Sequence, residues 1–214
     1  MNLKLKNLLP LPLRDRLAER PSDVWQQHID LRQGDAVFIR APSGAGKTTL
    51  VHILYGLRQD YTGEICWNGN DIKDQNPETL AQWRSRHISI IFQDLRLFPE
   101  LSAWENLQLK RRLTNSVSEA TCSDWLERLG IAHRKDKPAK TLSYGEQQRL
   151  VIIRALLQPF EWLLMDEPFS HLDKANTEKA ITLIHEVVAS NKAGLLLADL
   201  DENRFFNYTQ TLQL

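Results

Sequence analysis

The densest chemistry in the chain lies at Ala41-Pro42-Ser43-Gly44-Ala45-Gly46-Lys47-Thr48-Thr49. A phosphate-binding loop has Gly, four free positions, then Gly-Lys followed by Ser or Thr; that spacing holds here, with Ala41 at the place of the first Gly. Gly44 and Gly46 take positive φ without a steric penalty, which lets backbone N–H groups close around a polyphosphate. A helix opening near Lys47 adds unpaired N–H groups and the positive end of its dipole. In that arrangement Lys47 reaches the β- and γ-phosphates and Thr48 places its hydroxyl on Mg²⁺. The competing reading is a glycine-rich turn that binds nothing. The flanks argue against it, because a strand-like run at Ala36-Val37-Phe38-Ile39-Arg40 precedes the loop and an apolar-periodic run from Leu50 to Tyr55 follows it.

Two further segments carry chemistry. Trp162-Leu163-Leu164-Met165-Asp166-Glu167-Pro168 is a hydrophobic strand ending in two carboxylates. In an open α/β sheet such a strand delivers its last residues to the carboxyl edge, beside the phosphate loop. Asp166 would hold Mg²⁺ through water, and Glu167 would orient or deprotonate an attacking water. Taken alone, the segment is equally a strand running into an acidic turn. Leu142-Ser143-Tyr144-Gly145-Glu146-Gln147-Gln148-Arg149 follows Pro138 and opens an apolar-periodic helix. Ser143 with Glu146 three residues later makes a capping box, so a well-capped helix alone would explain it. The order of the three segments, with short spacing between the last two, weakens that explanation.

The elements that must position these residues are legible in outline. Leu3-Lys4-Leu5-Lys6 and His28-Ile29-Asp30-Leu31 alternate, and Gly63–Gly69 reads as a strand ending in an Asn68-Gly69 turn. Pro77 opens a short helix through Trp83. Ile88-Ser89-Ile90-Ile91-Phe92 is apolar enough for the centre of a parallel sheet. From Ser102 to about Leu129 the sequence is helical, with Gly130 as the stop of the last of these helices. Strands return at Trp162–Met165 and Gly194–Leu197, and Thr209–Leu214 alternates as an edge strand would. No repeat, low-complexity segment or coiled-coil insertion interrupts this plan.

The 214 residues suffice for one large α/β domain. Lysine plus arginine total 27, as do aspartate plus glutamate, and that balance argues against a nucleic-acid-wrapping surface. Short basic runs such as Lys110-Arg111-Arg112 read as solvated helix faces. Cys66 and Cys122 lie far apart without metal spacing and read as reduced thiols. The start Met-Asn-Leu-Lys-Leu-Lys lacks the apolar core of a signal peptide, and no run approaches the length that spans a bilayer. Any service to a membrane is expected to go through a partner.

Taken together, these motifs resemble those of ATP-binding cassette ATPases, the nucleotide-binding subunits of ABC transporters, over essentially the whole chain. Residues 41–49 resemble the family's phosphate loop, and Gln93 its glutamine loop, which senses Mg²⁺ and contacts the membrane subunit. Residues 142–146 resemble the signature Leu-Ser-Gly-Gly-Gln. Asp166 and Glu167 match the metal-holding Asp and catalytic Glu, and Ser170-His171-Leu172-Asp173 the loop that couples two subunits. The resemblance implies an α/β P-loop NTPase (RecA-like) core with an N-terminal antiparallel β portion and an inserted helical subdomain. One domain over 1–214 is expected, with 1–77 and 153–214 forming the nucleotide-binding core and 78–152 the helical subdomain.

It further implies ATP and Mg²⁺ as ligands, the metal held by Thr48, Gln93 and Asp166, and a separate transmembrane permease subunit as partner. Two cassettes, expected to be a homodimer, would enclose ATP between the phosphate loop of one and Ser143 and Gly145 of the other. The signature helix start is itself a second anion site, which a single chain would leave empty. Residues 92–101 and 105–107, and the Gly-Glu-Gln-Gln-Arg ending, are similar to the branch of lipoprotein-release, macrolide-export and cell-division ATPases.

Three departures stand out. Ala41 adds a methyl group where the family has Gly. Tyr144 replaces the first signature Gly, and its ring is expected to point away from nucleotide. The family's switch histidine is missing: aligning Asp199-Leu200-Asp201-Glu202 with the family's Asp-Leu-Asp-Glu puts Ala198 in its place. Loss of such a polar group commonly slows turnover by roughly 10²–10⁴-fold. A slow ATP-dependent dimerisation switch is therefore the rival to an active ATPase, and restoring histidine at 198 should raise turnover on that reading. A soluble cassette acting on DNA or ribosomes is disfavoured by the neutral charge. The adenine-stacking aromatic is open, since Trp25 is the one aromatic upstream and packing accounts for it equally.

Overall fold

The computed structural model describes residues 1–17, 21–200 and 204–214. Two sheets organise it. The first is antiparallel, with β1 (Leu3–Pro10), β2 (His28–Leu31), β4 (Tyr61–Trp67) and β5 (Asn70–Asp71) in the order β2-β1-β4-β5. Its alternation is physical. Leu3 and Leu5 are buried while Lys4 and Lys6 face solvent, where Lys4 meets Asp30 at 3.1 Å and Lys6 meets Glu64 at 2.8 Å. The β1–β4 register slips between Lys6 and Leu9. Gly63 sits opposite this irregularity at φ 85°, where a methyl group would lie 2.4 Å from the carbonyl oxygens of Lys6 and Asn7.

The second sheet is parallel, with β3 (Ala36–Arg40), β6 (Ile88–Ile91), β7 (Trp162–Asp166), β8 (Gly194–Asp199) and β9 (Gln210–Gln213) in the order β6-β7-β8-β3-β9. Strand β7 is buried throughout and β8 at every residue but Asp199, as strands covered on both faces must be. One face packs on α2 (Lys47–Leu54) and the antiparallel sheet, where Trp67 meets Trp162 edge-on at 5.9 Å. The other packs on α6 (Tyr144–Leu156) and α7 (Lys174–Asn191), together with residues of α4 (Ala103–Thr114) and α5 (Glu119–Arg128). A short helix α1 (Arg14–Leu17) follows β1, and α3 (Pro77–Arg86) precedes β6. No helix among the described residues is long and apolar enough to cross a membrane.

One expectation needs correction. The strand at Ile88 lies at an edge of the sheet rather than its centre; its four residues are buried nonetheless, as α3 and α6 pack against it. That strand lies between α3 and α4, inside the 78–152 segment expected to be mainly helical. The helical region from Ser102 is two helices, as Asn115 adopts φ 50° as a left-handed C-cap and Ser118 caps a new start. Gly130, at φ 66°, does end the second of these.

Candidate active site

Strand β3 runs into the phosphate loop and α2 leaves it, so the loop sits at the carboxyl edge of the parallel sheet. Ala41 is fully buried and outside the left-handed region, which is why its methyl group is tolerated. Its amide donates to the Asp199 carbonyl at 3.1 Å. Gly44 and Gly46 take φ 76° and 106°, and Gly46 caps α2. Ala45 is buried and its amide donates to the Pro42 carbonyl at 3.2 Å, which closes the turn. Lys47 is 5% exposed, and its ammonium donates to the carbonyls of Ala41 at 2.9 Å and Pro42 at 3.4 Å.

The acidic pair arrives from β7, next to β8 and two strands from β3. Glu167 Oε1 lies 3.2 Å from the Lys47 ammonium, and its other oxygen accepts from Gln93 Nε2 at 3.1 Å. Gln93 in turn accepts from the Thr48 hydroxyl at 3.3 Å. Lys47, Glu167, Gln93 and Thr48 thus form one chain of contacts. Glu167 is held at φ 46°, a left-handed conformation that costs a carboxylate residue about 1–2 kcal/mol. Its amide donates to the Ala198 carbonyl at 2.9 Å, and Gln148 from α6 donates to the carbonyls of Glu167 at 3.3 Å and Pro168 at 2.5 Å. These contacts offset the strain and fix the carboxylate's direction.

Asp166 is wholly buried, and neither of its carboxylate oxygens has a hydrogen-bond partner. Burial pushes its carboxyl up to about 6; the Thr48 hydroxyl pulls it down in part without closing a bond of normal geometry, and Glu167 pushes it further up. A buried carboxylate with no donor is costly unless something positive reaches it. With the Thr48 hydroxyl and the Gln93 amide oxygen nearby, the donor set is all oxygen and suits a hard divalent cation. Ser43, Gly44, Gly46, Lys47, Thr48, Thr49, Gln93 and Glu167 line one open cavity of about 260 Å³.

Other expected residues lie elsewhere. Ser143 and Gly145 do not line this cavity. Ser143 caps α6 with Glu146 in a full capping box and remains exposed. Gly145 is where α6 meets the turn after β7, since a methyl group there would stand 3.0 Å from the His171 carbonyl. Tyr144 is 46% exposed; its ring packs edge-on against His171 at 4.1 Å and its hydroxyl donates to the Gln93 carbonyl at 3.4 Å. The ring therefore bridges the signature helix to the glutamine loop of its own chain.

Trp25 offers no stacking face for a base. It is 3% exposed and packs beside Gly46, where a methyl group would sit 3.2 Å from its Cζ2. Ala198 is fully buried and paired across the sheet with Asp166 and Ile39. It belongs to the apolar cluster shared with Leu50, Val51 and Leu164, so a side chain at 198 enters packed core. A histidine at 198 would have to find room within that packing. Asp201 and Glu202 of that alignment lie outside the described residues. Sequence reasoning missed Leu13 and Arg16, which also line the cavity; no local motif marks them. Gln148 was visible only as part of the signature's ending.

The sequence profile of the family described as ABC transporter matches residues 26–170. The lipoprotein-releasing system ATP-binding protein LolD of Myxococcus xanthus is 35% identical over 162 residues, which cover 74% of this chain and 72% of that protein. The cytochrome c biogenesis ATP-binding export protein CcmA 2 of Cupriavidus metallidurans is 35% identical over 159 residues, covering 74% and 73%. Among solved structures, the dimeric form of MJ0796, a bacterial ABC transporter cassette, superposes with a TM-score of 0.75 at 25% identity, covering 93% of this chain and 88% of that one. The same cassette has been solved as a dimer in a post-hydrolysis state bound to ADP and Pi.

Proposed function

Because the chain belongs to the ABC transporter family, we propose that it is the ATP-binding and ATP-hydrolysing subunit of a bacterial transporter, dimerising on ATP and driving a separate transmembrane subunit. One observation carries the reading: the contact chain Lys47–Glu167–Gln93–Thr48 closes beside the unpartnered Asp166.

The loop's N–H groups and Lys47 bind the triphosphate, and an incoming phosphate displaces the Glu167 carboxylate from the Lys47 ammonium. Glu167, released but still fixed by its backbone contacts, faces the water that attacks the γ-phosphorus and accepts its proton. Gln93 relays the position of Thr48 to Glu167. Asp166, Thr48 and Gln93 would hold Mg²⁺, which when bound supplies the positive charge that the phosphate oxygens and Asp166 share. Ser143 and Gly145 of a facing copy add donors to the γ-phosphate, so hydrolysis depends on assembly. The domain is read as one unit, in which the sheet-bearing parts bind nucleotide and the helices after β6 carry the signature. The work would be done at the cytoplasmic face of the membrane, and the similarity to LolD favours lipoprotein release as the process served.

Mg-ATP turnover and sedimentation of the wild-type protein and Glu167→Gln test this. The expected result is turnover that falls by about 10²–10⁴-fold in the variant, with an ATP-bound dimer that persists. Equal turnover in both with robust hydrolysis would sink the role of Glu167. The second reading, a slow dimerisation switch, is favoured by the apolar Ala198 beside Asp166. It predicts that wild type dimerises on ATP yet turns over no faster than Glu167→Gln.

A further inference from the structure

One wall of the nucleotide cavity is not built by the phosphate loop. After β1, a 3-10 turn at Leu11–Leu13 and the short α1 fold back over the loop. Leu13 and Arg16 face the same cavity as Lys47 and Glu167. A methyl group on Gly44 would stand 3.3 Å from Arg16 Nη2, and one on Gly46 would stand 3.0 Å from Leu13 Cδ1. The guanidinium therefore lies against the glycine whose backbone turns toward a bound phosphate chain.

Its surroundings leave it free for that task. Arg16 is exposed and enters no hydrogen bond or ion pair among the described residues. The other cation of the cavity, Lys47, is already paired with Glu167 at 3.2 Å. An arriving polyphosphate thus meets Arg16 as a cation with no anion to displace. The planar fork of a guanidinium matches phosphate oxygens two at a time. Aromatic rings are absent from the described lining of the cavity, so recognition shifts toward the phosphates.

We propose that Arg16 is a further phosphate-binding residue for the nucleotide, delivered by the N-terminal turn from outside every motif. This rests on the ATP-binding reading. The role is one of affinity, since the charge acts on the bound nucleotide rather than on the water or Glu167.

The test is Mg-ATP affinity of the full chain, measured for wild type, Arg16→Gln and Arg16→Glu at low and at high salt. Binding is expected to weaken by about tenfold in Arg16→Gln and further in Arg16→Glu, with both losses shrinking as salt screens the charge. Because Arg16 is exposed, the melting temperature of the nucleotide-free variants should match wild type. Affinities within twofold of wild type, or equal losses in both variants that ignore salt, would overturn the proposal. Failure of the wild-type protein itself to bind Mg-ATP would instead strike the ATP-binding reading, and this proposal with it.

Discussion

Replacing Asp166 with Asn should stabilise the metal-free protein while destroying its hydrolytic use. Burial raises this carboxyl from an ordinary value of 3.8 to about 6, and both of its oxygens lack partners. A raised folded-state value means that the folded chain holds its proton where the unfolded chain has lost it. Between those two values the folded state therefore binds more protons, and stability falls as pH rises. The loss begins near pH 3.8, is complete above about 6, and amounts to about 3 kcal/mol at the full 1.36 kcal/mol per unit. Asn has nearly the same shape and no charge to lose, so the variant escapes that cost. The stability difference should be about 1 kcal/mol at a pH near 4.5 and about 3 kcal/mol near 7.5. Urea denaturation of both proteins in chelator, followed across this range, reads it directly. Adding Mg-ATP should stabilise wild type more than Asp166→Asn, because a cation removes the penalty only where the carboxylate exists. A difference that is flat with pH, or a variant less stable than wild type at pH 7.5, would refute the view of Asp166 as an uncompensated buried charge.

Two perturbations probe the scaffold. Gly63→Ala forces a methyl group to within 2.4 Å of two backbone carbonyl oxygens at φ 85°, and should cost about 2–4 kcal/mol in thermal unfolding; a melting temperature equal to wild type would contradict the tight β1–β4 approach. Ala198→His places a larger polar ring at a fully buried position, so the fold should lose about 1–3 kcal/mol and turnover should not rise. A faster and equally stable variant would show that the β8 packing described above is wrong.

Much of the site was legible because its chemistry is local. The loop from Ala41 to Thr49 needs only a preceding strand, two glycines and a following helix, and all three are written consecutively. The same holds for the Ser143–Glu146 capping box and for the β7 strand that ends at Asp166, since capping and burial depend on near neighbours and simple periodicity. Short-range rules failed where the answer lay across the fold. The strand at Ile88 reads as central because it is almost wholly apolar, yet among the described residues it pairs only with β7 at the sheet edge and is buried by the helices that cover it. Trp25 looks available to a base until the loop packs on it.

The sequence by itself determined the phosphate loop, the acidic strand end, the capped signature helix and, through their order, the family. Each follows from residue types within a few positions of one another. Only the tertiary structure decided that Lys47 and Glu167 pair across 120 positions of chain at 3.2 Å, that Asp166 is left with no donor, and that Ala198 faces packed core. It alone brought Arg16 over Gly44. Those are contacts between distant segments, fixed by how two sheets and their helices pack, and no local pattern in the chain encodes them.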